Sequence, residues 1–149
     1  MQGTPALILL IEDNASHAEL VMRGLAEHRV ANQIVHLADG QSAVEYLFRQ
    51  GKFSNPADSP RPDLILLDLR LPRLDGIQVL QVIKESEPLR RIPVVILTTS
   101  NAERDVARAY THHANSYLVK PVGFEEFSKL LQDLGLYWLA WNTHPFAET

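Results

Sequence analysis

Residues 63–68 read Asp-Leu-Ile-Leu-Leu-Asp: four apolar residues closed on their C-terminal side by an acid. The run has the length of a strand, and its unbroken apolarity marks a strand covered on both faces, as in a parallel sheet. Working outward, the pattern recurs. Ile8-Leu9-Leu10-Ile11 runs into Glu12-Asp13, and Tyr117-Leu118-Val119 runs into Lys120-Pro121. Strands are expected at Ala6–Glu12, Gln33–Leu37, Asp63–Asp68, Pro93–Thr98 and Ser116–Val119.

Helical patterns fill the intervals. Asn14 is placed to cap a helix bearing Ala18, Val21, Met22 and Leu25 at 3.6-residue spacing. Asp39-Gly40 precedes a helix with Val44, Leu47 and Phe48; a third follows Gly76 with Val79, Val82 and Ile83. Asn101 is placed to cap a fourth with Val106, Ala109 and Tyr110, and a fifth after Gly123 carries Phe124, Phe127, Leu131 and Leu134, with Pro145 at or beyond its end. Strands alternating with helices give an α/β, doubly wound (βα)5 domain. Gly51 to Pro62 is rich in Gly, Ser, Asn and Pro and reads as a long surface loop, a tolerated insertion more than an adapted surface.

Composition narrows the function. The 149 residues suit one domain, taken as 1–149 with a core over about 5–136 and a helical C-terminal extension over about 137–149. A formal charge of −4 leaves no basic footprint for nucleic acid. With no cysteine, disulfides and thiolate zinc sites are excluded. The N-terminal apolar run is short and ends in acid, so it is not read as a signal peptide, and no stretch reaches the roughly 18 apolar residues of a membrane helix. A cytoplasmic location, with no membrane partner, is the expectation.

In an open α/β sheet, ligands bind outside the carboxyl ends of the strands. Glu12, Asp13, Asp68 and Lys120 all fall there. Carboxylates joined by an ammonium suit a hard divalent cation and a phosphoryl group, and so phosphoryl transfer onto an aspartate. Taken singly, Glu12-Asp13 reads as a solvated strand end, Lys120 as a surface lysine and Thr98 as a strand-favouring residue. Asp68 is harder to set aside, because an acid closing an apolar strand costs stability unless solvated or paired.

The joint pattern resembles the receiver domain of two-component response regulators over nearly the whole chain. It comprises Glu12-Asp13, Asp68 with Pro72 and Asp75-Gly76 after it, Thr98-Thr99-Ser100, and Tyr117-Leu118-Val119-Lys120-Pro121. The runs Arg61–Leu69 and Arg91–Leu97 and a Trp-bearing C-terminal helix are most similar to stand-alone regulators that partner phytochrome-type sensor kinases. The resemblance implies a flavodoxin-like receiver fold with a five-stranded parallel sheet in the order 2-1-3-4-5.

It also implies roles. Asp68 would take a phosphoryl group from the phosphohistidine of a sensor histidine kinase. Glu12, Asp13, Asp68 and the backbone carbonyl of Arg70 would hold Mg²⁺. Lys120 and the Thr98 hydroxyl would each take a phosphoryl oxygen, with the Thr99 N–H assisting. Thr98 and Tyr117 would form the two-state switch, and a cis Lys120–Pro121 bond is expected. Arg70 and Ser100 would flank the path of the hydrolytic water, so the acyl-phosphate lifetime should depend on them; an Arg70 lying over the phosphoryl group would slow hydrolysis.

Only 29 residues (149 − 120) follow Lys120, too few for an output domain, so signalling through the protein's own surface is expected. Leu130, Tyr137, Trp138 and Trp141 suggest a homodimer through the face of the fourth helix, fifth strand and fifth helix with the C-terminal extension, with folding back of the tail as the alternative. The chain is not expected to be an enzyme beyond its own phosphorylation and dephosphorylation. A dehalogenase-type phosphatase would need a second acid where Arg70 stands, and a pseudo-receiver would lack part of the acidic set. No G-x-G-x-x-G or Walker sequence is present to support a nucleotide site. The histidines, His17 and His36 among them, read as surface residues.

Overall fold

The continuous apolar runs form strands because both faces of the sheet are covered. The computed structural model describes residues 7–27, 33–99, 103–121 and 123–135. Strands β1 (Leu7–Ile11), β2 (Gln33–Leu37), β3 (Leu64–Leu67), β4 (Val94–Thr98) and β5 (Ser116–Val119) alternate with helices α1 (Ala15–Glu27), α2 (Gly40–Leu47), α3 (Gly76–Glu85), α4 (Glu103–Thr111) and α5 (Phe124–Gly135). The sheet is parallel, in the order β2-β1-β3-β4-β5. Side chains alternate along each strand between two cores. Leu9, Ile11, Ile65, Leu67, Val94 and Ile96 pack with residues of α2, α3 and α4. Ile8, Leu10, Leu64, Leu66, Val95 and Leu97 pack with Ala18, Val21 and Leu25 of α1 and Phe127 of α5.

Register positions the functional edge. Ile11 lies opposite Leu67, so the residues that follow, Glu12 and Asp68, emerge side by side. Thr98 lies opposite Val119, which brings Lys120 out one step beyond. The strand order reverses around β1 and β3, where open α/β sheets form their crevice.

The helices start where capping side chains permit. Asn14 Oδ1 accepts the His17 N–H at 3.0 Å, Asp39 Oδ1 accepts the Ser42 N–H at 2.7 Å, and Asp75 and Gln78 form a reciprocal capping box on α3. The expected Asn101 cap lies outside the described residues. Gly76 is required by close approach: a Cβ there would sit 2.3 Å from the Asp68 carbonyl oxygen.

Four expectations change. The inward face of α2 is Ala43, Tyr46 and Leu47, while Phe48 lies past the helix end and is exposed. The inward face of α4 carries Asp105 and Ala109, while Tyr110 is half-exposed; its hydroxyl accepts the Tyr117 N–H on edge strand β5 at 3.1 Å. The segment 51–62 is not a bare loop. It holds two single-turn 3₁₀ helices, Gly51–Phe53 and Pro56–Asp58. The Tyr46 hydroxyl donates to the Pro60 carbonyl at 2.7 Å, and buried Ser59 donates to the Phe53 carbonyl at 3.0 Å. Finally, no peptide bond among the described residues is cis, so Lys120–Pro121 is trans, the isomer X–Pro bonds favour by about 0.5–1 kcal/mol. No helix among the described residues is long and apolar enough to cross a membrane.

Candidate phosphoacceptor site

Asp68 closes β3 and is 6% exposed. Its Oδ1 accepts the Thr98 hydroxyl at 2.7 Å and the Arg70 N–H at 3.1 Å. Its Oδ2 faces the Lys120 ammonium at 3.2 Å. Burial alone would raise the Asp68 pKa, but the Thr98 hydroxyl, the Lys120 charge and the Arg70 N–H together hold it below the ordinary carboxylate value. Asp68 is therefore ionised at neutral pH, the form a nucleophile requires.

Glu12 behaves oppositely. It is almost wholly buried, and burial pushes its carboxyl up to about 7, against the pull of Lys120 and with help from the Asp68 charge. Glu12 Oε1 accepts from the Lys120 ammonium, and its Oε2 accepts the Asn14 N–H at 3.1 Å. Asp13 is exposed beside them. Carboxylate oxygens of Glu12, Asp13 and Asp68 lie within 4.8 Å of one another. Three acids that close, one of them exposed, fit a hard divalent cation that takes carboxylate and water oxygens. Lys120 supplies one positive charge to two of the three, so the set carries negative charge for a cation to neutralise.

The structure thus brings together Glu12, Asp13, Asp68, Thr98 and Lys120. Thr99 is exposed at the end of β4. Tyr117 is half-buried against the α2–α4 core. Leu130, expected at a dimer interface, packs partly buried against the core shared by α1 and α5. Tyr137, Trp138 and Trp141 lie outside the described residues, as does Ser100.

Three neighbours escaped the sequence reading. His17, in the first turn of α1, is placed with its Nδ1 3.1 Å from the Lys120 ammonium, which makes that nitrogen the acceptor. Burial and the Lys120 charge lower its pKa, against Asp68 and Asp13. His36 Nε2 donates to the Glu12 carbonyl at 2.7 Å and ties β2 to the acidic turn. Asp105 is buried and takes the Arg70 guanidinium at 2.9 Å. Only the N-cap at Asn14 hinted at the first, since it fixes which residues fill the first turn of α1. Nothing local marked the other two.

A groove of about 410 Å³ opens beside the acids, lined among others by Asp13, Arg70, Asp75, Asp105 and Arg108. The response regulator receiver domain family matches residues 8–132. This chain belongs to that family. The receiver is 45% identical over 141 residues to a probable methanogenesis regulatory protein, FilR2, of Methanothrix harundinacea, covering 95% of this chain and 88% of that one. It is 43% identical to response regulator Rcp1 of Synechocystis, covering 96% and 95%. Among solved structures, the phosphorylated cyanobacterial phytochrome response regulator RcpA superposes with a TM-score of 0.90 at 38% identity, over 95% of this receiver and 99% of that chain. The Mn²⁺-bound form of Rcp1 gives 0.88 at 42% identity, over 95% and 99%.

Proposed function

We propose that this receiver accepts a phosphoryl group on Asp68 from the phosphohistidine of a sensor histidine kinase, phytochrome-type by its likeness to the phytochrome response regulator RcpA. It signals through its own surface. One observation carries the reading. The buried, ionised Asp68 has its two oxygens held by different donors, Thr98 and Arg70 on one and Lys120 on the other, beside two further acids. In the transfer the Asp68 Oδ–P bond forms as the P–N bond breaks, and the imidazole leaves with its proton.

Glu12, Asp13, Asp68 and the Arg70 carbonyl would hold Mg²⁺, which offsets the repulsion between the acids and the incoming phosphoryl group. Lys120 keeps a compact positive charge on the same oxygens. The Thr98 hydroxyl, on Asp68 before transfer, turns to a phosphoryl oxygen afterwards, assisted by the Thr99 N–H. That movement vacates space into which Tyr117 turns, a population shift between two states of one fold. The chain catalyses no reaction beyond its own phosphorylation and dephosphorylation. The surface of α4, β5 and α5, with Leu130, Tyr137, Trp138 and Trp141, forms a homodimer.

The test is phosphoryl incorporation from acetyl phosphate with Mg²⁺, in the native chain, in Asp68→Asn and with EDTA. Incorporation that requires both Asp68 and the metal is expected. Labelling that survives in Asp68→Asn would remove the proposal.

A further inference from the structure

Arg70 stands two residues after the phosphoacceptor, and its guanidinium does not lie idle. It crosses the groove to Asp105 on α4 at 2.9 Å; the Arg70 side chain is 63% exposed and that of Asp105 6%. Its backbone N–H is on Asp68 Oδ1, so the two ends of one residue serve the acceptor and α4. Arg108, one turn on from Asp105, lines the same groove.

We propose that Asp105 is a positioning residue for the hydrolysis of the phosphorylated Asp68, acting by holding the Arg70 guanidinium away from the phosphoryl group. The inference rests on the reading of Asp68 as phosphoacceptor. In hydrolysis the water oxygen bonds to phosphorus, the P–O bond to Asp68 breaks, Asp68 leaves as a carboxylate, and both water hydrogens go with the inorganic phosphate. Water must reach phosphorus opposite the leaving oxygen. A guanidinium matches phosphoryl oxygens with a planar fork of donors, and a phosphoryl group bears about two negative charges. Freed, Arg70 would swing onto it and occupy the approach of water. Asp105 competes for that fork. Buried, it gives its partner a lower-dielectric environment than an exposed acid could. The side chain that controls access is therefore set from α4, the helix next to the proposed switch.

The experiment is a double-mutant cycle on the phosphoryl half-life, after labelling from acetyl phosphate with Mg²⁺, in native protein, Asp105→Asn, Arg70→Ala and the double variant. Asp105→Asn should lengthen the half-life about threefold or more. Arg70→Ala keeps the backbone N–H on Asp68 and the backbone carbonyl, and should stay within about twofold of native, because the guanidinium it removes is already held off. The double variant should match Arg70→Ala, and Asp105→Glu should restore the native half-life. A merely structural Asp105 would change the half-life equally with and without Arg70, and that result overturns the proposal, as does an Asp105→Asn half-life at or below native. Should Asp105→Asn fail to fold, Arg70→Ala decides together with Asp105→Glu, and a change beyond about twofold in either is the contrary result. Without any phosphoryl group, the Arg70 Nε–H resonance should shift in Asp105→Asn; an unmoved resonance denies the pair itself. Absent labelling, or labelling that persists in Asp68→Asn, overturns the phosphoacceptor reading instead.

Discussion

Two lysines, Lys120 and Lys84, sit at opposite ends of the sheet. At the carboxyl edge Lys120 faces Glu12, Asp68 and the His17 ring. At the amino edge Lys84, from the last turn of α3, donates to the carbonyls of Arg90 at 3.0 Å and Ile92 at 2.8 Å and to Asn115 Oδ1 at 3.4 Å. Among the described residues, the oxygens that accept from Lys84 are neutral, while two of the three partners of Lys120 are acids. A lysine among carbonyls fastens chain to chain and has nothing further to do. A lysine among carboxylates compensates a charge that the fold has concentrated, and that concentration is what a phosphoryl group and a metal exploit. Lys120 is buried and Lys84 half-buried, and it is the charge of their partners that separates function from scaffolding.

The comparison can be broken at its strongest point first. Asp68→Asn should abolish phosphoryl incorporation, measured by mass spectrometry of the intact protein, whereas Lys84→Met should leave it within about twofold. Next, Lys120→Met strands two buried acids without their cation, which costs on the order of 3–5 kcal/mol in metal-free buffer by chemical denaturation. Because Glu12 can escape by taking a proton, the loss should be smaller at pH 6 than at pH 8. Lys84→Met forfeits only hydrogen bonds to neutral oxygens, about 1–2 kcal/mol. A loss from Lys84→Met equal to that from Lys120→Met would erase the distinction.

A finer test uses pH. Glu12 is raised from 4.5 to about 7 on folding, so the folded state binds the extra proton; its contribution is full below about 4.5 and is lost as pH rises to about 7. Lys84 is lowered by burial from 10.5 to about 8, so the unfolded chain binds the extra proton and stability from this group grows as pH rises from about 8 to 10.5. The windows do not overlap and their slopes are opposite. In thermal melts without metal, Glu12→Gln should flatten only the lower slope and Lys84→Met only the upper; one variant altering both would show the two ends to be coupled.

Much of this was legible in the chain. All five strands lie where the sequence predicts them. β1, β3 and β4 are continuous apolar runs, because a strand covered on both faces must be apolar throughout, while β2 and β5 lie at the sheet's edges and are only partly covered. The acids and Lys120 were legible because each directly follows such a run. What escaped depended on contacts distant in sequence. Asp105 lies on a polar helix, where a charge reads as solvated, and only the fold reveals that it faces inward beside Ala109. His17 owes its place near Lys120 to the packing of α1 against the sheet, 103 residues away in sequence. The segment 51–62 looked like a loop because it is rich in Gly, Ser, Asn and Pro, and the hydrogen bonds of Tyr46 and Ser59 that pin it show only in the fold.

The Tyr110 hydroxyl on the Tyr117 N–H has a consequence for solubility. A lateral strand with an unclaimed backbone donor invites a second molecule to add to the sheet. Here a side chain from α4 occupies that donor. With that donor occupied the flank of β5 is less open to strand addition, and Tyr110→Phe should leave the fold and the proposed dimer in place while lowering the concentration at which larger assemblies form.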